Sequence, residues 1–111
     1  MTMTPRKRYK IVVYVPEDQA TALRKAMGEA GAGIIGNYDH CTFTIKGTGR
    51  FRPNEKANPT IGSAGRIEEV NEDRIETVCE PDKLEAVLAA IRATHPYEEP
   101  ATDVYPVEVF E

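Results

Sequence analysis

The chain has 111 residues, 41% of them hydrophobic, and a formal net charge of -4. That is enough apolar material for one core and too little for two, so a single domain over residues 1–111 is expected. The acidic balance speaks against a nucleic-acid partner, whose phosphates are held by clustered Lys and Arg.

The basic opening MTMTPRKRYK is followed by an apolar run, Ile11 to Val15, that stops at Pro16. A bilayer helix needs roughly 20 apolar residues, and a secretory signal needs a longer apolar centre than this. No membrane partner and a cytoplasmic location are therefore expected.

Residues 7 to 15, KRYKIVVYV, are β-branched and aromatic and read as a buried first strand. From Glu17 the period changes, and Ala20, Leu23, Met27 and Ala30 fall at helical spacing ahead of Gly31 and Gly33. His40 to Lys46 alternates Cys41, Phe43 and Ile45 against Thr42 and Thr44, the pattern of a half-buried strand. Residues 47 to 65 hold no sustained period and read as a long hairpin excursion, which in a small domain needs a reason. Alternation resumes from Arg66 to Cys79. Asp82 then opens a helix through a D-x-x-E capping box with Glu85, and Leu84, Val87, Leu88 and Ile91 form its apolar stripe. Pro96 ends that helix by Thr94, and Asp103 to Phe110 supplies a last strand, with Pro106 marking it as an edge.

The order βαββαβ predicts an α+β, ferredoxin-like fold: a four-stranded antiparallel sheet with two helices on one face. It also predicts that His95 lies at the sheet end where the first strand finishes, and Asp39, His40 and Cys41 at the other. One face of the sheet, carrying Tyr9 and Val13 or the residues alternating with them, would lack cover. Sister copies around an axis would supply it, so a homotrimer is expected.

Several motifs carry chemical possibilities. GAGIIG, residues 31 to 36, matches a dinucleotide fingerprint as a string, but it follows a helix instead of opening one, so it reads as a helix C-cap. Cys41 and Cys79 lack metal-ligand spacing and read as thiols of a reduced compartment. Arg50 and Arg52 flank Phe51 in the hairpin, with Lys56 beyond, and can grip a carboxylate or phosphate with paired hydrogen bonds. The acidic run 68 to 76 places Glu72, Arg74 and Glu76 on one face as a mixed-sign row, read as a solvated or interface face.

HPYEEP, residues 95 to 100, is the densest cluster. His95, Tyr97 and Glu98 are candidates for ligand contact together with Arg50 and Arg52, while His95, Glu98 and Glu99 form the candidate set for a divalent metal ion. Extended chain points Glu98 and Glu99 apart, so a rigid bend is the competing reading.

The stretches GAGIIGNYDHCTFTIKGTGRF, PNEKANPTIGSAGRIEEVNEDRIE and HPYEEPATDVYP together resemble the domain inserted in bacterial YqfO proteins of the Nif-three-like dinuclear-metal family. HPYEEP is also similar to a turn of the CutA divalent-cation-tolerance proteins, which share the trimeric arrangement of the PII signalling proteins. The resemblance implies a stand-alone version of the inserted module, lacking the flanking domains that hold the family's two metals. It points to a non-enzymatic binding or regulatory module with a small anionic ligand or a divalent metal. The competing readings are a metal-dependent hydrolase around His95, borrowing His40 or Cys41 from a neighbouring chain, and an oligomerisation domain that docks another protein.

Overall fold

A computed structural model describes residues 3–111 and contains β1 (Pro5–Pro16), α1 (Ala20–Glu29), β2 (Phe43–Phe51), β3 (Glu68–Cys79), α2 (Leu84–Thr94) and β4 (Thr102–Phe110). Of the basic opening, Met1 and Thr2 lie outside the described residues. The strands form one antiparallel sheet in the order β2-β3-β1-β4, so the expected ferredoxin-like topology is the one that forms. No helix among the described residues is long and apolar enough to cross a membrane.

Alternation along β1 decides which face is which. Ile11, Val13 and Val15 are fully buried and pack with Leu23 and Met27 of α1 and Val87 and Ile91 of α2. Each such side chain contributes roughly 1.5–3 kcal/mol relative to exposure. Tyr9 packs against this cluster too, so Tyr9 and Val13 both face the helices. The uncovered face therefore belongs to their alternates Lys10, Val12 and Tyr14. Val12 is buried even there, flanked by Glu76 on β3 and Asp103 on β4.

β2 runs later than its alternation predicts, from Phe43 and not His40, and its apolar residues point the other way. Phe43, 64% exposed, and Ile45, 46% exposed, lie opposite Glu76 and Arg74 on the uncovered face. β2 is an edge strand, and neither helix packs extensively against it. The second edge strand is β4, which accommodates Pro106 opposite Tyr9.

The loop after α1 is a glycine C-cap. Ala30 ends the helix, Gly31 follows at φ 114°, Gly31 N–H bonds Gly28 O, and Ala32 N–H reaches back to Met27 O. That pair of bonds closes the helix and leaves no N-terminus for a pyrophosphate. At α2 the expected capping box is not made. Pro81 opens a short 3-10 turn over Pro81–Lys83, which draws Asp82 into the turn, and no side-chain cap bond forms at Glu80 or Lys83.

The molecule is elongated: its radius of gyration is 15.5 Å, against about 13 Å for a compact chain of this length. At one end β2 and β3 project beyond β1, since Pro16 pairs with Glu72 while Phe51 pairs with Glu68. At the other end β1 and β4 continue to Pro5 and Phe110, and beyond them Thr4 and Glu111 exchange two backbone hydrogen bonds of 2.7 and 3.1 Å.

Candidate functional site

The candidate site lies where β1 finishes. α2 ends at His95, whose extended backbone (ψ 135°) prepares for Pro96 and swings the chain across the end of the sheet. The His95 ring is 6% exposed, and both of its nitrogens are engaged. Nδ1 accepts from Tyr97 N–H at 3.1 Å, which leaves the proton on Nε2, 2.6 Å from the Tyr14 carbonyl it donates to. His95 thereby ties the turn to the last residues of β1.

Tyr97 is carried onto the uncovered face. Its ring stands edge-on to Phe51 at 5.7 Å and tilts against His95 at 5.1 Å. Its hydroxyl donates to Glu72 Oε2 at 2.9 Å. Burial, then the hydrogen bond and charge of Glu72, push the Tyr97 hydroxyl well above the usual tyrosine range, so it stays a donor.

The long connection between β2 and β3 folds back over the same turn. Asn58 N–H donates to Glu98 Oε1 at 3.0 Å, and the Thr60 hydroxyl donates to Pro96 O at 2.6 Å. Between loop, turn and sheet a cavity of about 330 Å³ remains, lined by Tyr14, Phe51 and Tyr97, by Ala57, Pro59 and Ile61 of the loop, and by Arg50, Arg52, Glu72, Glu98 and Glu99. This is near the small end of the roughly 300–1,000 Å³ typical of ligand pockets.

The structure thus brings Arg50, Arg52, Tyr97 and Glu98 to one cavity and leaves His95 behind its wall. Arg50 and Arg52 line this cavity together with the 97–99 turn of their own chain. The metal set His95, Glu98 and Glu99 does not converge: the described residues contain no group of three His, Cys, Asp or Glu placed to hold an ion. His95 has no free lone pair, and Glu98 is already bonded to Asn58.

Glu72 is the residue that sequence reasoning misread. The mixed-sign row reads as a solvated or interface face, yet Glu72 is only 9% exposed and lies in the cavity wall. Tyr14 was missed as well. The available signal was Gly49 on β2, since glycine within a strand marks a close approach; a Cβ there would lie 2.1 Å from Glu72 Oε1.

The far end of the sheet is built differently. Gly33 N–H bonds Val78 O at 2.7 Å, Cys41 N–H bonds Gly33 O at 2.9 Å, and the Thr77 hydroxyl bonds Cys41 O at 2.8 Å. His40 sits there in the left-handed region (φ 55°), with Nδ1 2.9 Å from Asp39 Oδ1. Cys79 is buried, and burial first, then Asp82 and Glu80, raise its thiol above the ordinary cysteine value.

No protein-family model matches the chain. The GTP cyclohydrolase 1 type 2 homolog of Halalkalibacterium halodurans is 50% identical over 104 residues, which are 94% of this chain and 28% of that protein. A Bacillus cereus protein related to NIF3 superposes with a TM-score of 0.81 at 44% identity, covering 99% of this chain and 28% of the other. CutA from Synechococcus elongatus superposes with a TM-score of 0.70 at 18% identity, covering 99% and 85%, which shows likeness of fold alone. The chain spans about a quarter of the length of the curated relatives it matches. It is a homologue of one segment of the NIF3-related GTP cyclohydrolase 1 type 2 homologs, and it carries the fold of the CutA proteins.

Proposed function

We propose that this chain is a non-enzymatic binding or regulatory module that holds a small anionic molecule in the cavity between the β2–β3 loop and the 95–101 turn. One observation carries the reading. Arg50 and Arg52 border an aromatic-walled cavity, and among the described residues neither makes a salt bridge or a side-chain hydrogen bond. By contrast, Arg24 and Lys46 hold Asp73, and Arg74 holds Glu76. Two uncommitted planar cations beside an apolar floor suit a carboxylate or phosphate on a compact molecule. The cyclohydrolase activity in the relatives' names is not carried over, because His95 spends both nitrogens on the fold and brings no metal-ligand set with it.

The module assembles, in this reading, as a homotrimer through the uncovered sheet face, where Phe43, Ile45 and Tyr105 are each more than two-fifths exposed. Apolar side chains exposed at both edges of a face that the helices leave uncovered favour association with other copies of the chain. The free thiols Cys41 and Cys79 suit a reducing cytoplasm.

Calorimetric titration and thermal melts with inorganic phosphate, small carboxylates and phosphorylated metabolites test the binding. A ligand at about 100 times its Kd raises stability by roughly 2.7 kcal/mol, and the paired change Arg50→Ala with Arg52→Ala removes that gain. No shift with any of these compounds refutes the anion site. Sedimentation at micromolar concentration tests the assembly: a trimer that Phe43→Glu dissociates supports it, and a monomeric parent chain refutes it.

A further inference from the structure

We infer that residues 54–64 form a hinged lid over the cavity and that the 96–98 turn is the catch that holds it shut. That a ligand favours the closed lid rests on the anion-site reading above; the lid itself rests on the contacts of the connection. After β2 the chain makes a compact loop whose ends meet, because Gly65 N–H donates to Pro53 O at 2.8 Å and Pro53 is buried. That pair is the neck. Inside the loop Asn54 closes a turn, its side-chain oxygen accepting from Lys56 N–H at 2.9 Å and its carbonyl from Ala57 N–H at 3.2 Å. Beyond the turn the segment lies apolar side down: Ala57, Pro59 and Ile61 are half-buried against the cavity, and Asn58 and Thr60 between them are exposed.

No residue from 54 to 64 is buried. Apart from local bonds at the neck, two hydrogen bonds among the described residues fix the segment to the fold, from Asn58 N–H to Glu98 Oε1 at 3.0 Å and from the Thr60 hydroxyl to Pro96 O at 2.6 Å. Both end on the turn. The remaining walls are held far more firmly, since Tyr14 and Glu72 sit in paired strands and His95 anchors the turn from behind through Tyr14 O and Tyr97 N–H. The strap is therefore the wall that opens at least cost, opposed by two solvent-exposed hydrogen bonds and three half-buried apolar side chains. A molecule in the cavity meets Ala57, Pro59 and Ile61 only while the strap is down, so binding shifts the population towards the closed state. His95 then has a second effect: it keeps the catch in register with the lid.

Hydrogen exchange by NMR on the full chain tests this, because the Asn58 amide exchanges when the strap lifts and the Gly65 amide reports the neck. Thr60→Val removes one latch bond without touching the other. Asn58 exchange is expected to quicken by about fivefold, as loss of one hydrogen bond should allow, with Gly65 unchanged. Unaltered Asn58 exchange in this variant means that the two bonds break independently, which overturns the lid. Equal acceleration at Asn58 and Gly65 means that the whole connection unravels, which overturns the hinge. In the parent chain, saturating inorganic phosphate slows Asn58 exchange. If calorimetry shows phosphate bound and Asn58 exchange is unaltered, ligand-favoured closure falls while the anion site stands. If phosphate does not bind, the Thr60→Val comparison decides the lid alone and the wider titration above decides the anion site.

Discussion

The two histidines sit at opposite ends of one sheet and differ in almost every physical respect. His95 is buried, has ordinary backbone angles and gives both nitrogens to the main chain. The His40 side chain is 48% exposed, its backbone lies in the left-handed region, its Nδ1 pairs with Asp39 and its ring lies over Gly28. A sequence reader expects the histidine in the denser motif to be the chemical one. Here the dense motif is the bracket that holds a turn in place, and Arg50, Arg52 and Glu72 line the cavity beside it. Availability of lone pairs and charges separates a site from its scaffold better than the crowding of polar letters does.

Four measurements break or sharpen that contrast. Gly33→Ala should have the largest effect, at the His40 end. Its φ of 85° already disfavours a Cβ by roughly 1–2 kcal/mol, and that atom would lie 2.5 Å from Cys41 N and 2.6 Å from Cys41 O. Backbone cannot step aside cheaply, so chemical denaturation should show a loss above about 2 kcal/mol, and a loss below 1 kcal/mol would contradict the geometry.

His95→Ala orphans the Tyr14 carbonyl and the Tyr97 N–H together, at about 1–3 kcal/mol for each buried group. His40→Ala, on an exposed loop, should cost within about 0.5 kcal/mol. Equal losses in urea melts would erase the distinction between the two ends.

Tyr97→Phe removes the hydroxyl from Glu72 and should cost about 1 kcal/mol at neutral pH. The same change alters the alkaline limb. The folded chain holds the Tyr97 proton more tightly than the unfolded chain does, so its contribution is complete below about pH 10 and declines as pH rises through the folded value. Stability of the parent chain should fall more steeply above about pH 10 than that of the variant, and parallel curves would count against the Glu72 bond.

The smallest effect concerns the thiols. Cys79 is buried with a raised thiol pKa, whereas Cys41 is half-buried beside the exposed loop. In native chain at pH 8 a thiol reagent should modify Cys41 first, with Cys79 reacting only on unfolding. Simultaneous reaction would show that the core at this end opens readily.

Topology was readable because each element has its own pattern: a continuous β-branched and aromatic run in β1, alternation in β3, and helical stripes in α1 and α2. Pro106 announced its edge strand, and the glycines after α1 announced a cap. What escaped depended on relations between strands. Phe43 and Ile45 alternate correctly, but nothing local says whether the helices cover that side of β2. Glu72 looks like any charge in a mixed row until Tyr97, arriving from 25 residues further on, closes over it. The capping box failed for a local reason: Pro81 starts its turn one residue early.

The paired backbone ends at Thr4 and Glu111 have a consequence for how such a unit can be deployed. Entry and exit lie side by side, at the corner farthest from the Arg50 and Glu72 cavity, so a host polypeptide could take this module as a detour within its own course. Both tethers would run from one corner, and the pocket would stay clear of the splice.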